Sequence, residues 1–459
     1  MKMINRVFFL MITLAALSFL LGQVARQHAA TAAPDIPAAP PHAPIWSAPQ
    51  LVSLEAQSAV EPKVAANRQS GSRDVLVAFN QRFGAGGNND PYYTRSTNNG
   101  QTWTVPAPIH NSPTMASNSV EVDVVFSGNG VAHAVWVENR ALAYAPENRW
   151  PTNNTSNLPT LISNPVIPPG AAAPLLVATG ESILDVIWSE GDGVNPNIYH
   201  ARSTNGGSSW PIKGIIRSTP PESRVPSLAV SPTDDNRLYA VWEEQVAGAV
   251  VTSTAVIMFA QGTVSGSSVS WSNPIVISTN AGDNVAFEQP EIIANSQGLH
   301  VTYSYHDLVN EVQLVYYTKC GSGCTQPTGW SGLTNIGGQF VKVNGVLPFY
   351  VISNMVTYGY CTQVYYHGVK QDLLQENEQV WGVNNCDNWS GGGIDEVTDP
   401  VTTRAVNPNM VVGDGGWIYM VYSQVIASDL LQTYFISSQD DATIIIPFTG
   451  ALLPIIFRN

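Results

Sequence analysis

Seven tryptophans set the frame of this chain: Trp46, Trp103, Trp150, Trp210, Trp271, Trp330 and Trp389 follow one another at intervals of 57, 47, 60, 61, 59 and 59 residues. Two of them close nearly identical phrases, RSTNNGQTWTVP from Arg95 to Pro106 and RSTNGGSSWP from Arg202 to Pro211. A second marker keeps the same period: an apolar run ending in an aromatic and then a polar residue, as in VLVAFNQ (75–81), AHAVWVE (132–138), LDVIWSE (184–190), LYAVWEE (238–244), LHVTYSY (299–305), YVISNMVTYGY (350–360) and IYMVYSQ (418–424). A third is a proline that opens a strand a dozen or so residues earlier: Pro62, Pro174, Pro226, Pro290, Pro348 and Pro408, with the second unit lacking one. Three markers in register define a repeat.

Each unit therefore reads as four short strands: one after the proline, one along the apolar run, one such as IYHARS or QVYYHG, and one along the tryptophan phrase. No unit carries an amphipathic helical pattern. Four-stranded units repeated radially predict an all-β β-propeller, which removes sheet edges by closing on itself. Closure is written into the ends: IWSAPQLVSL (45–54) is a fourth-strand phrase with no unit before it, and the last unit has no fourth strand of its own. The N-terminal strand is thus expected to close a ring of seven blades, with six the alternative.

Charged residues make up 12% of the chain, against roughly 25% in an average soluble domain, so the surface is mostly neutral and polar. Residues 1–33 place Lys2 and Arg6 before an apolar run from Val7 to Leu21 and a small-residue cleavage region at 30–33, the pattern of a secretory signal peptide. Removing it leaves 17 basic against 34 acidic residues, a formal charge of −17. Such a chain is not expected to bind nucleic acid or anionic lipid. Its apolar run is too short for a membrane span. Residues 34–44 form a proline-rich linker before the propeller at 45–442, and 443–459 form an apolar C-terminal tail.

Four cysteines fit an oxidising, secreted or cell-surface location. Of three pairings, the favoured one joins Cys320 to Cys324 and Cys361 to Cys386, and a zinc site fits the spacing less well. No cofactor is expected; the abundant oxygen ligands leave Ca²⁺ as the alternative, with no contiguous Asp-x-Asp-x-Asp loop to support it. The sequons at Asn153 and Asn388 matter only where the host glycosylates.

Ser96, Asn98, Gly100 and Trp103, and again Ser203, Asn205, Gly207 and Trp210, spell Ser-x-Asn-x-Gly-x-Thr/Ser-Trp. This resembles the Asp-box, or bacterial neuraminidase repeat, of the sialidase-like propellers, with Asn where that family most often has Asp. The Asn side chain is suited to bonding nearby backbone N–H groups, and the Gly to a left-handed turn. The tryptophan is expected to pack under that turn. By resemblance these hairpins are structural and lie on the face away from the binding site.

On the other face the loops after the second strands and before the first strands converge. They offer Arg82, Glu138, Arg140, Glu190, Arg224, Glu243, Glu244, Tyr305, His306, Asp307, Arg404 and Tyr422. The resemblance implies three arginines gripping a substrate carboxylate, because a guanidinium fork matches it bidentately. It also implies a tyrosine nucleophile beside a glutamate. Arg224, Arg140 and Arg404, with Tyr305 or Tyr422 and Glu243, are the catalytic candidates; Arg82, Glu138, Glu190, Glu244, His306 and Asp307 are the binding candidates. The family's Arg-Ile-Pro motif opens its propeller, whereas here Arg224-Val225-Pro226 opens the fourth unit and the first unit has Glu61-Pro62. The expectation is therefore a non-catalytic module binding a glycan or an extracellular protein, with an exo-α-sialidase-type hydrolase as the alternative. The tail at 443–459 is expected to pack across the propeller, or to serve as a retention or export signal.

Overall fold

The apolar second strands are buried through their central residues because each sheet is sandwiched between neighbours. All seven residues of Ala132–Glu138 are buried, as are Val75 to Gln81. The computed structural model describes residues 46–439 apart from 56, 83–88, 112–118, 154, 164–169, 192–194, 219–221, 247–253, 279–283, 311, 338–339, 342–352, 359–360, 369–378, 385–394, 397, 399–403 and 428–429. The signal peptide, linker, C-terminal tail, Pro348, Cys386 and Trp389 thus lie outside the described residues.

The chain is an all-β propeller. Among the described residues, five antiparallel sheets have four strands each. The 58–108 sheet runs Ser58–Ala66, Val75–Arg82, Asn89–Ser96, Ala107–Pro108, and the 119–163 sheet runs Ser119–Phe126, Ala132–Glu138, Ala141–Pro146, Thr160–Ser163. The 171–217 sheet runs Ala171–Thr179, Ile183–Gly191, Pro196–Ser203, Ile212–Arg217. The 353–396 sheet comprises Ser353–Tyr358, Cys361–Gly368, Gln379–Asn384 and Asp395–Glu396. The last sheet takes Arg404–Val412, Trp417–Ala427 and Leu430–Gln439 from the C-terminal end and Gln50–Leu51 from the other end of the chain. A ten-stranded sheet holds two further antiparallel sets, a 223–276 half and a 285–341 half, joined through one parallel pair, Ala255 with Ala286.

The sequence pattern misplaces one unit. The pattern puts YVISNMVTYGY in a second strand, but Ser353–Tyr358 is the first strand of its sheet and packs against the first strands on both sides, while QVYYHG lies in the second strand. Its aromatic and apolar composition suits either position, since both are buried.

The prolines are also placed differently from the pattern. Each lies inside its strand rather than at the opening, at a break in register where the preceding residue is left-handed: Glu61, Ala173, Val225, Gln289 and Asn407, with φ between 48° and 58°. Glu121 repeats the bulge without a proline. A bulge breaks the ladder, so an imino acid with no N–H is tolerated there.

The first strand is the free edge of its sheet, and side chains from the neighbour satisfy it. A polar side chain of the first strand accepts a backbone N–H from the next sheet, just after the bulge at Asp123 and Ser227 and in unbroken register at Asn354: Leu176 N to Asp123 Oδ2 at 2.7 Å, Ile292 N to Ser227 Oγ at 3.2 Å, Met410 N to Asn354 Oδ1 at 2.9 Å. Val64 N to Asn409 Oδ1, at 2.8 Å, makes the same link between the last sheet and the 58–108 sheet. These acceptors are fully buried, and the inward-facing amides gain partners that an edge would otherwise lack.

At the opposite end the two repeated phrases form superimposable networks. Ser96 Oγ accepts Gly100 N at 2.8 Å and Asn98 Oδ1 accepts Thr102 N at 2.9 Å; Ser203 and Asn205 do the same for Gly207 N and Ser209 N, both at 2.9 Å. Trp103 closes its own turn, its indole N–H donating to Gly100 O at 3.1 Å, and the tryptophans also reach beyond their own sheets. They dock edge-on or tilted onto the neighbouring sheet: Trp103 on Phe435, Trp150 on Tyr93, Trp210 on Tyr144, Trp271 on His200, Trp330 on Phe259 and Trp46 on Tyr365, with centroids 4.7–5.7 Å apart. Each ring pair adds about 1 kcal/mol beyond its buried area. Cys320 and Cys324 form a disulfide, as expected. The Cys361–Cys386 pairing falls outside the described residues.

Candidate functional site

The second strands all end, and the first strands all begin, at the end of the propeller away from the repeated hairpins. A register position recurs there, two residues beyond the large aromatic of the second strand. It is occupied by Glu138 after Trp136, Glu190 after Trp188, Glu244 after Trp242 and Tyr305 after Tyr303.

Where this position is glutamate, the carboxylate is drawn into the structure. Each of the three accepts the indole N–H of its own tryptophan, at 3.4, 2.9 and 3.3 Å. Glu138 also receives Ser119 Oγ–H and faces His110 Nε2 at 3.4 Å, His110 lying in a two-residue strand, His110–Asn111, that follows the 58–108 sheet and pairs in parallel with Thr152–Asn153. Glu244 takes a bidentate grip from Arg217, 2.7 Å from Nε and 2.9 Å from Nη2, together with Ser223 Oγ–H at 3.2 Å. Arg217 belongs to the outer strand of the preceding sheet. Glu138 and Glu244 therefore tie one sheet to the next. These partners are not legible in the sequence, since His110 and Arg217 are separated from their glutamates by 28 and 27 residues; the recurrent Trp-x-Glu is the available signal.

The remaining candidates are spread around the mouth. Arg82, Arg140 and Arg404 stand on three different sheets, and Arg224 on the ten-stranded one. Arg82 and Arg140 are exposed, Arg140 in a two-residue turn with Asn139. Arg224 is held between carboxylates: Nη2 lies 2.8 Å from Glu222 Oε2 and Nε lies 3.9 Å from Glu243 Oε1. Glu243 also accepts Gln289 N at 3.4 Å, reaching across to the 285–341 half. Glu222 and Gln289 are contributors that sequence reasoning did not single out.

Tyr422 is buried, its ring stacked on Tyr434 with centroids 6.0 Å apart, and burial raises its hydroxyl pKa, with Tyr434 adding to the rise. Tyr305 is half-buried; desolvation raises its pKa, with smaller contributions from Asp307 and Tyr316. A tyrosine nucleophile needs the opposite shift. His306 Nδ1 lies 3.8 Å from Glu288 Oε2. Asp307 caps a turn, accepting Asn310 N at 2.9 Å and Val309 N at 3.0 Å, and the Asn310 bonds lower its pKa. Glu61, at the mouth of the first sheet, is buried and accepts Asn80 Nδ2–H at 2.8 Å. Desolvation, with the nearby Glu121 charge, raises its carboxyl well above the ordinary range. Among the described residues no group of three His, Cys, Asp or Glu is placed to hold a metal ion, and no helix is long and apolar enough to cross a membrane.

The sequence matches no family model, and no curated protein matches it. Solved structures of similar shape include a sialidase of Streptococcus pneumoniae, 12% identical over 85% of this chain and 70% of that one with a TM-score of 0.43. An α-L-arabinofuranosidase of Fusarium graminearum is 10% identical over 84% of this chain and 95% of that one, with a TM-score of 0.45. A protein of unknown function from Dyadobacter fermentans is 12% identical over 85% and 98%, with a TM-score of 0.48.

Proposed function

We propose that this chain is an exported, non-catalytic propeller that binds a glycan or an extracellular protein on the face opposite its repeated hairpins. The ring is read as seven blades, the ten-stranded sheet supplying two of them, with the N-terminal strand as the last blade's outer strand. Two contacts support that count. Ser58–Ala66 packs against both Ser119–Phe126 and Arg404–Val412, and Trp46 occupies on the last sheet the docking role that its counterparts hold on theirs. The repeated hairpins are read as Asp-boxes.

The observation that carries the non-catalytic reading is the state of Arg224. A carboxylate-gripping arginine needs its fork free, and here Glu222 at 2.8 Å and Glu243 at 3.9 Å already neutralise it. An anionic substrate approaching this arginine meets two negative charges for one positive. The raised pKa of Tyr305 and the burial of Tyr422 point the same way. The test is release of sialic acid from a fluorogenic sialoside by residues 34–459, from about pH 4 to about pH 8, beside Arg224→Ala. No turnover by the folded protein is the expected result; turnover abolished by the substitution would establish the hydrolase reading instead.

A further inference from the structure

We infer that the mouth end of the seam between the 223–276 and 285–341 halves is the ligand site, and that it takes an uncharged pyranose ring stacked on Tyr305 with its hydroxyls bonded to Glu243. This rests on the reading of the face opposite the hairpins as the binding face.

The seam between these halves differs from two of its equivalents. At the recurring position beyond the second-strand aromatic, Glu244 is tied to Arg217 of the preceding sheet and Glu138 faces His110 of the short strand that follows the preceding sheet. Those two positions carry a polar contact at the mouth, partly exposed at Arg217. In the 285–341 half the same position is Tyr305, paired across the ladder with Phe287 as Glu244 is paired with Ser223. Its ring is half-buried, and its hydroxyl has no hydrogen-bond partner among the described residues. Phe287 and Tyr316 brace it through T-shaped contacts at 5.7 and 5.5 Å. A braced, half-exposed ring offers apolar area at little cost in side-chain entropy.

Glu243 reaches across the same seam. Its carboxylate accepts the N–H of Gln289, two residues along the strand from the partner of Tyr305. Arg224 and Gln289 fix the carboxylate in place, and a fixed carboxylate beside an aromatic ring is a recognition pair for a sugar. The C–H face of the pyranose lies on the ring while its hydroxyls donate to the anion. The charge balance selects within that class: Arg224 supplies one positive charge against Glu222 and Glu243. A uronic or sialic acid brings a third carboxylate to the group and is rejected by like-charge repulsion.

The experiment uses residues 34–459 and three sets of oligosaccharides, neutral, amine-bearing and carboxylated, ranked on an array and titrated by calorimetry. Neutral oligosaccharides are expected to bind, Tyr305→Ala to weaken them at least tenfold, Tyr305→Phe to leave most of the affinity because the hydroxyl is not required for stacking, and Glu243→Gln to weaken them several-fold. Thermal unfolding of Tyr305→Ala close to that of the parent separates lost binding from lost folding. Neutral oligosaccharides bound equally well by Tyr305→Ala would overturn the site and leave the binding propeller standing. Preference for the amine-bearing or carboxylated set would overturn the ligand class. Binding to none of the three would sink the inference outright and leave a protein ligand to the broader reading, whereas turnover of a sialoside would remove the broader reading itself.

Discussion

The two ends of this propeller obey different rules. At the hairpin end, Ser96 and Ser203 head networks whose corresponding hydrogen bonds agree within 0.1 Å. At the mouth end, one register position holds Glu138, Glu190, Glu244 and Tyr305, each with different partners. The hairpin end is repetitive because each turn must fit the aromatic of the neighbouring sheet. The mouth needs only some closure, or some ligand, at each interface, so its side chains are free to diverge.

The hairpin end is therefore where a small change has the largest effect. Gly207 has φ +81°, and a Cβ there would overlap the buried Tyr144 ring; at Gly100, with φ +82°, it would overlap Phe435. Tyr144 cannot swing aside without breaking its bonds to His133 Nδ1 at 2.8 Å and Gly206 O at 2.9 Å. Gly207→Ala is expected to cost roughly 3 kcal/mol or more, combining left-handed strain with steric overlap. Urea unfolding with a clearly lowered midpoint and an unchanged slope is the expected outcome; a loss below about 1 kcal/mol would mean that the docking is loose and the contrast between the two ends unfounded.

The same contrast explains what the sequence revealed. The tryptophans, the second-strand runs and the prolines recur because they answer one packing problem solved again at each interface, and they fix the propeller and its strand order almost throughout. They fail at 350–360, where two adjacent buried strands are both rich in aromatic and β-branched residues, so composition does not separate first from second. The mouth is far less legible. Glu244 and Tyr305 are equivalent by register, but only Arg217, brought in from another sheet, turns the glutamate into a tie. Arg224 reads as an anion grip until Glu222 and Glu243 are seen beside it. The partner is what assigns the role, and partners come from neighbouring sheets.

Acid should attack the hairpin end before the mouth. His133 and His300 occupy equivalent positions in their second strands, and burial lowers both to about pH 4, with Lys319 adding to the effect on His300. His133 contacts Ser127 Oγ and Tyr144 Oη, and His300 contacts Asn295 Oδ1 and Tyr317 Oη. Their folded-state pKa lies below the unfolded value near 6.5, so below that pH the unfolded chain binds protons the folded one refuses. The stability involved is present above about pH 6.5 and is lost as pH falls toward 4, about 3 kcal/mol for each histidine. Glu61 has the opposite sign, its raised pKa giving stability at low pH that is lost as pH rises. The unfolding midpoint is expected to drop steeply from about pH 6.5 to about pH 4, and His133→Asn with His300→Asn to flatten that limb. An acid limb of equal slope in the double variant would place the acid sensitivity elsewhere.

The smallest and sharpest test compares the two occupants of the shared register position. Glu244 is nearly buried and carries a bidentate arginine, so Glu244→Gln keeps the shape, removes the charge and leaves Arg217 facing a neutral amide. Because Arg217 is 28% exposed, solvent screens part of the loss, and a cost of roughly 1–2 kcal/mol is expected. Tyr305→Ala removes a half-buried ring with no hydrogen bond from its hydroxyl among the described residues, and a change below about 1 kcal/mol is expected. Matched thermal melts decide the matter. If the glutamate matters to folding and the tyrosine does not, the position has been released from its structural duty at one interface, which is what a ligand-binding surface on a closed ring requires. If Tyr305→Ala costs as much as Glu244→Gln, both residues are ties between sheets, and the mouth is as uniform in purpose as the hairpin end.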